Sequence, residues 1–121
     1  MKKKILIVED EPAIIELLRI ILTRAGYEVF TCSSGREAIS MMKQIMPHLV
    51  ILDVMLPGLD GAGIVRIMHE DEVLSNIPVI ISSALLESEH MFTPYPQVKG
   101  FCAKPFVLKD FIEKVKTAIG D

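Results

Sequence analysis

Five short apolar runs, separated by longer stretches with helical periodicity, limit this chain to a small number of folds. The runs occupy residues 4–9, 27–32, 48–53, 78–82 and 99–103. They are rich in aliphatic, β-branched and aromatic residues, which fit the pleated surface of a strand. The first run is almost continuously aliphatic, and this pattern predicts a strand that is covered on both faces, as in a parallel sheet.

Between these runs, apolar residues recur at the spacing of amphipathic helices. Helices are predicted over residues 11–25, from Ser33 or Ser34 to about Ile45, over about 61–70 and over about 107–119. Gly26 suits the left-handed position that ends the first of them. The segment 85–98 contains Pro94 and Pro96, which cannot lie inside a helix. The fourth helix is therefore predicted to be short, ending by about residues 91–92, or to be irregular.

The alternation of strands and helices predicts an α/β fold, because right-handed crossovers place helices on both faces of a parallel sheet. Five such units favour the flavodoxin-like strand order 2-1-3-4-5. A chain of 121 residues fits one domain, predicted over residues 1–121. In this order Cys32 and Cys102 lie near opposite edges of the sheet, about 19 Å apart. A disulfide requires Cα atoms within about 7 Å, so the two cysteines are not expected to pair.

The charge balance and the lengths of the apolar runs exclude two classes of partner. The chain carries 16 acidic and 13 basic residues, for a formal net charge of −3, and Lys2 to Lys4 form its only basic run. A nucleic-acid surface normally shows a clustered basic face, so this domain is predicted not to bind nucleic acid directly. No run approaches the ~18 apolar residues of a membrane span or the ~7–15 of a signal peptide. We therefore expect a cytoplasmic protein without membrane insertion.

Polar side chains stand at the ends of four of the five predicted strands. In parallel α/β sheets these ends meet at one edge, where binding sites form. Each has an ordinary explanation when taken alone, since acids often cap helices and a Lys-Pro pair often forms a solvated turn. Their coincidence at four strand ends favours a site. The residues are Glu9 and Asp10 after the first strand, Asp53 after the third, Ser82 and Ser83 after the fourth, and Lys104 followed by Pro105 after the fifth.

These residue types predict phosphoryl-transfer chemistry. Asp10 and Asp53 repel each other when brought together, so they require a hard divalent cation with oxygen ligands. Mg²⁺ fits, with Mn²⁺ as the alternative, because it commonly binds one or two carboxylates together with a phosphate oxygen. A carboxylate can act as a nucleophile and form an acyl phosphate. Ser83 can donate a hydrogen bond to the phosphoryl group, and Lys104 can offset its charge.

Four sequence blocks resemble the signatures of a known family. ILIVEDEP, LVILDVMLPGLDG, PVIISSA and FCAKPF occur in the order found in response-regulator receiver domains (CheY-like) of two-component signalling systems. The resemblance covers essentially the whole chain and implies a phosphorylation-activated switch rather than an enzyme. It implies a histidine kinase or a histidine phosphotransfer protein as the phosphodonor. It also implies a downstream protein that binds the face built from the fourth helix, the fifth strand and the last helix.

The resemblance also implies a role for each site residue. Asp53 is the phosphoacceptor, Asp10 is a direct Mg²⁺ ligand, and Glu9 acts mainly through water. The backbone carbonyl of Met55 is a further ligand. The other implied roles concern the phosphoryl group and the switch: Ser83 and Lys104 contact the phosphoryl group, Ser83 and Phe101 change position on phosphorylation, and the bond from Lys104 to Pro105 is cis.

Three departures from the family pattern lead to further expectations. Phe101 stands where the family often has tyrosine, so the switch side chain has no hydroxyl group. Pro94 and Pro96 make the output face atypical. Met55 and Leu85 are apolar at positions that, in the family, flank the path of the water that hydrolyses the acyl phosphate. We therefore expect a long-lived phosphorylated state.

Other functions remain open at this point. A degenerate receiver would act as a binding module without phosphorylation. A hydrolase of the haloacid-dehalogenase type would need a second acid two residues after Asp53, where Met55 stands. An FMN electron carrier would need a Ser/Thr/Gly-rich loop after the first strand, where Glu9, Asp10 and Glu11 would repel a phosphate. The sequence also leaves open whether the domain stands alone or belongs to a longer regulator or hybrid kinase.

Overall fold

The strands and helices alternate as the periodicity predicts. The computed structural model describes residues 2–54, 61–83 and 95–120. In this part of the chain the elements are β1 (Lys4–Val8), α1 (Pro12–Arg24), β2 (Glu28–Cys32), α2 (Gly35–Ile45), β3 (Leu49–Asp53), α3 (Gly61–Glu70), a 3₁₀ helix (Leu74–Asn76), β4 (Val79–Ser83), β5 (Val98–Ala103) and α4 (Leu108–Ile119).

The five strands of the described residues form one parallel sheet in the order β2-β1-β3-β4-β5. The predicted fold class and strand order are therefore confirmed. Cys32 at the end of β2 and Cys102 on β5 are buried, free thiols at opposite edges of the sheet. The absence of a disulfide between them follows from this strand order, as predicted.

Side chains alternate between two buried layers along the central strands. On β1, Ile5 and Ile7 pack with Leu18 of α1 and Phe111 of α4. Leu6 and Val8, together with alternate residues of β3 and β4, pack with residues of α2 and α3 on the other side of the sheet. Because successive side chains of a strand point to opposite faces, a sheet covered on both sides needs continuously apolar strands. This requirement explains the aliphatic runs in the sequence.

Residues in the left-handed conformation stand at three helix ends, and Gly120, with φ of 90°, ends α4. Gly26, with φ of 100°, follows α1 as the sequence predicts. Met46, with φ of 53°, ends α2 immediately before Pro47, although methionine carries a side chain that disfavours this conformation. The residue before a proline is restricted from the right-handed helical region, so α2 cannot continue through Met46.

The 3₁₀ helix before β4 is not among the elements that the sequence patterns predict. Asp71 holds its first turn, because Oδ1 accepts hydrogen bonds from the backbone N–H groups of Leu74 (3.0 Å) and Val73 (2.9 Å). These two bonds lower the pKa of Asp71. Leu74 then places its side chain in the layer beneath α2 and α3.

The entry to β5 is tied to this 3₁₀ helix by a buried glutamine. Gln97 Nε2 donates hydrogen bonds to the carbonyl oxygens of Leu74 (3.3 Å) and Ile77 (2.9 Å). The ring of Tyr95 meets the ring of His69 at the end of α3 edge-on, with centroids 5.3 Å apart. The predicted short or irregular fourth helix falls largely on residues 84–94, which lie outside the described residues. Across the three described ranges, no helix is long and apolar enough to cross a membrane.

Candidate functional site

The ends of β1, β3, β4 and β5 meet at one edge of the sheet. Val8, the last residue of β1, pairs with Leu52, so Glu9 and Asp53 follow side by side. Asp53 in turn pairs with Ser82 on β4, and Ser82 pairs with Cys102 on β5. The parallel register therefore brings together strand-end residues that are far apart in the sequence.

Three carboxylates converge at this edge. Glu9, Asp10 and Asp53 each place one carboxylate oxygen within 4.8 Å of the others. Glu9 is 2% exposed and Asp53 is 6% exposed, whereas Asp10 faces solvent. The backbone N–H of Asp10 donates a 3.0 Å hydrogen bond to Glu9 Oε2, which orients the Glu9 carboxylate. Several carboxylate oxygens at this spacing are the donor set that Mg²⁺ prefers, so these residues fit the cation that the sequence predicts.

Lys104 supplies the positive charge of the site. Its Nζ donates hydrogen bonds to Glu9 Oε1 (2.7 Å) and to Asp53 Oδ2 (3.2 Å). The Lys104 side chain is 16% exposed, so both bonds form largely away from water. The backbone N–H of Lys104 donates to the carbonyl oxygen of Ser83 at 3.0 Å, and the peptide bond to Pro105 is cis. The ammonium group is thus held against both buried carboxylates.

The electrostatics of the site follow from burial and from the number of like charges. The pKa of Glu9 is raised to about 7, first by burial and then by the neighbouring Asp53, and Lys104 offsets only part of this rise. Burial acts in the opposite direction on Lys104, but its bonds and charge interactions with Glu9 and Asp53 raise the pKa of Lys104 overall. A proton therefore competes with any cation for Glu9 near neutral pH.

Gly61 allows α3 to start directly against the end of β3. Its N–H donates to the carbonyl oxygen of Val54 at 3.0 Å. A Cβ atom at this position would lie 2.9 Å from the carbonyl oxygen of Asp53 and 2.9 Å from Val54 Cα. Helical periodicity alone predicts Gly61 only as the start of a helix. The available signal was its place in the block LVILDVMLPGLDG, which also contains Asp53.

The two predicted switch residues, Ser83 and Phe101, belong to the face of the sheet that packs against α2 and α3. Ile81 belongs to the layer beneath α2 and α3, and Ser83, two residues further along β4, points to the same side. Phe101 pairs with Ile81 and packs against this layer. Met55 and Leu85 lie outside the described residues. The structure therefore brings Glu9, Asp10, Asp53 and Lys104 together and places Ser83 and Phe101 on the face towards α2 and α3.

Comparison with known proteins assigns the family. The sequence model of the family "response regulator receiver domain" matches residues 5–116 of this chain. The chain belongs to this family. Receiver domains are regulatory phosphoacceptor domains of two-component systems rather than ordinary enzymes; they take phosphoryl groups from histidine kinases, bind Mg²⁺ at an acidic pocket and regulate downstream effectors. The resemblance found in the four sequence blocks is thus confirmed.

The relatives include proteins about twice as long as this chain and one of nearly the same length. The chain is 36% identical over 119 residues to "probable transcriptional regulator ycf27" of Porphyra purpurea, covering 98% of the chain but 48% of that relative. The chain thus spans about half the length of this relative. It is 30% identical over 122 residues to the polar-differentiation response regulator DivK of Brucella ovis, covering 100% of the chain and 99% of DivK. The receiver domain of a signal transduction histidine kinase from Syntrophus aciditrophicus superimposes with a TM-score of 0.86 at 31% identity, over 98% and 90% of the two chains.

Proposed function

We propose that this receiver domain is a Mg²⁺-dependent switch that accepts a phosphoryl group on Asp53. The observation that carries the proposal is the position of Asp53, which ends the central strand β3, is buried and accepts a hydrogen bond from Lys104. Its carboxylate lies within 4.8 Å of the carboxylates of Glu9 and Asp10. A carboxylate next to a cation site and an ammonium group suits nucleophilic attack on phosphorus. Residues 1–121 act as one receiver domain in this proposal.

The acidic cluster is the proposed cation site. Asp10 and Asp53 would bind Mg²⁺, or Mn²⁺ in its place, directly, and Glu9 would act mainly through water. The backbone carbonyl of Met55, which lies outside the described residues, would be a further ligand. When bound, the cation neutralises the repulsion among the carboxylates and polarises the phosphoryl oxygens.

Phosphoryl transfer starts from a phosphohistidine on a histidine kinase or a histidine phosphotransfer protein. An Asp53 carboxylate oxygen forms the new bond to phosphorus while the P–N bond breaks, and the imidazole leaves with the electron pair. Lys104 offsets the charge of the transferred group, because its ammonium already lies 3.2 Å from Asp53 Oδ2. The added charge of about −1.5 to −2 draws this ammonium away from Glu9.

The signal then passes along the ends of β4 and β5. Ser83 donates a hydrogen bond to a phosphoryl oxygen, and the backbone bond from Lys104 N–H to Ser83 O couples the two strand ends. Phe101 lies three residues before Lys104 on β5 and changes its packing with this movement. Phosphorylation thereby shifts the population between two arrangements of the domain. A downstream cytoplasmic protein binds one of them on the face built from β5, α4 and the segment that follows β4.

The direct test is intact mass after incubation with acetyl phosphate. Wild-type protein is expected to gain one phosphoryl group with Mg²⁺ and none with a chelator, because the clustered carboxylates repel the donor without a cation. Asp53→Asn is expected to gain none under either condition. Asp71→Asn, which changes an aspartate outside the site, is the matched control and should behave as wild type. Equal labelling of the Asp53→Asn protein would contradict the proposal, and no labelling of wild type would favour a binding module that works without phosphorylation.

The phosphorylated state is expected to be long-lived. Apolar side chains at Met55 and Leu85 would limit access of water to the acyl phosphate. Replacing both with polar residues (Met55→Asn with Leu85→Gln) should shorten the half-life on the order of tenfold, measured by intact mass after removal of acetyl phosphate. Val73→Gln, a change at an exposed apolar residue away from the site, is the control. An unchanged half-life in the double variant would exclude this explanation.

A further inference from the structure

The proposed function leaves one buried hydroxyl beside the site without a role. Ser82 is 2% exposed, and its Oγ has no hydrogen-bond partner in the part of the chain that the structure describes. Buried hydroxyl groups are nearly always hydrogen-bonded, because loss of their bonds to water costs free energy. A hydrogen bond to Ser82 Oγ would therefore stabilise any state of the protein in which a partner comes within reach.

The sheet register places this hydroxyl next to the proposed phosphoacceptor. Ser82 pairs directly with Asp53, and adjacent strands lie about 4.8 Å apart. Paired residues of neighbouring strands project to the same face, and Ile51 and Ile80, two residues earlier on β3 and β4, lie together in the layer beneath α1 and α4. The side chains of Asp53 and Ser82 are thus neighbours on that face, whereas Ser83, the last residue of β4, points to the other face and would reach a phosphoryl oxygen only beyond the end of the strand.

The position of Lys104 explains why the Ser82 hydroxyl has no partner among the described residues in this state. Lys104 follows β5, which lies two strand positions, or about 10 Å, from β3. Its Nζ nevertheless donates to Asp53 Oδ2 and to Glu9 Oε1. The side chain must therefore cross the end of β4, where Ser82 lies. Its methylene groups offer the hydroxyl no hydrogen bond, while its ammonium group serves Asp53.

We infer that Ser82 is a positioning residue for Asp53 in the phosphorylated state, an inference that rests on the proposed function. With acetyl phosphate, an Asp53 oxygen bonds to phosphorus while the bond from phosphorus to acetate breaks, and acetate leaves with the electron pair. The ammonium of Lys104 follows the charge of the phosphoryl group. Rotation of Ser82 about χ1 then lets its hydroxyl donate to the remaining Asp53 oxygen, now the carbonyl of the acyl phosphate, which keeps a second lone pair beside the one that would bind the cation.

This exchange of donors favours the phosphorylated state. Ser82 lacks a partner while Lys104 holds Asp53 and gains one when Lys104 moves, so its hydrogen bond contributes to only one of the two states. Cys102 continues the same row across the sheet but lies one strand further from Asp53. A thiol is also a weak donor. Cys102 is therefore a matched position that cannot replace Ser82.

The test compares Ser82→Ala, Ser82→Thr and Cys102→Ala with wild type. Acetyl phosphate is supplied at saturating Mg²⁺, and intact mass gives the rate constants of phosphorylation and of phosphate loss. Ser82→Ala is expected to lower the ratio of these two constants about fivefold, the size expected for one hydrogen bond. Its Tm without Mg²⁺ should not fall, because the removed oxygen has no partner in that state. Ser82→Thr and Cys102→Ala are expected to stay within about twofold of wild type.

The outcomes separate this inference from the proposed function. A wild-type ratio in Ser82→Ala would overturn the role of Ser82 and leave Asp53 as the acceptor. A lower Tm of the Mg²⁺-free alanine variant with an unchanged ratio would show a structural role only, and would also overturn the inference. A threonine variant with the Tm of wild type but the lowered ratio of the alanine variant would also overturn the inference. A wild-type protein that gains no phosphoryl group would overturn both proposals.

Discussion

Lys104→Met is expected to lower the free energy of unfolding by about 3 kcal/mol near pH 8 in Mg²⁺-free buffer. The ammonium of Lys104 bonds to Glu9 and Asp53, whose side chains are 3% and 7% exposed. Removing the ammonium leaves the buried carboxylates of Glu9 and Asp53 close together, and each loses its hydrogen bond to Lys104. The loss is measured by urea unfolding followed by far-ultraviolet circular dichroism.

The loss should depend on pH in a definite direction. The pKa of Glu9 in the folded chain, about 7, lies above its ordinary value of 4.5. The folded state therefore binds more protons than the unfolded state between these values, and wild-type stability without Mg²⁺ falls as pH rises through this window. Without Lys104 the pKa of Glu9 rises further, so the stability of the Lys104→Met protein continues to fall above pH 7. The destabilisation by Lys104→Met should accordingly shrink to about 1 kcal/mol near pH 6, where Glu9 carries a proton.

Two comparisons test the cause of this loss. Lys43 forms an exposed ion pair with Asp71, with Nζ 3.9 Å from Oδ2, so Lys43→Met should cost less than about 0.5 kcal/mol at either pH. Mg²⁺ should restore much of the stability of Lys104→Met, because the cation replaces the missing positive charge and binds only the folded state. A loss of equal size at both pH values and with Mg²⁺ would show that packing of the lysine stem, rather than its charge, stabilises the site.

Gly61→Ala is expected to lower the free energy of unfolding by about 2 kcal/mol and to slow phosphorylation of Asp53 at least tenfold, on the order of what a small misplacement of a reacting group costs. The new Cβ would lie 2.9 Å from the carbonyl oxygen of Asp53 and from Val54 Cα. Both are backbone atoms and cannot rotate away, so α3 and the end of β3 must separate. The gain in helix propensity, at most about 1 kcal/mol, is smaller than this cost. Urea unfolding and intact mass with acetyl phosphate measure the two effects.

Gly100→Ala is the matched control for this substitution. A Cβ at Gly100 would meet Ile80 Cγ1 at 3.9 Å and Lys114 Cδ at 4.0 Å, which are ordinary contacts. Stability and phosphorylation rate should therefore stay close to wild type. A Gly61→Ala protein that is also indistinguishable from wild type would mean that the junction of β3 and α3 adjusts without moving Asp53.

Most of the fold could be predicted because its causes lie in local sequence. The aliphatic run 49–52 needs cover on both faces, and this need alone favours a parallel sheet between helices. Gly26 predicts the end of α1 for a reason confined to its own backbone. The 3₁₀ helix at 74–76 could not be predicted in this way, because it depends on buried Gln97, which bonds to Leu74 and Ile77 from a distant part of the chain.

The candidate site likewise has features that the local sequence predicts and features that only the tertiary structure determines. The kinds of side chain at each strand end, and hence the cation and phosphoryl chemistry of Asp53, can be read from short segments of sequence. Which groups touch is a different matter: Lys104 and Glu9 are 95 residues apart in the chain, and only the order and register of the sheet bring Nζ within 2.7 Å of Oε1. The raised pKa of Glu9, the close approach at Gly61 and the unpartnered hydroxyl of Ser82 all arise from that assembly. They depend on burial and on contacts across strands, which no local pattern encodes.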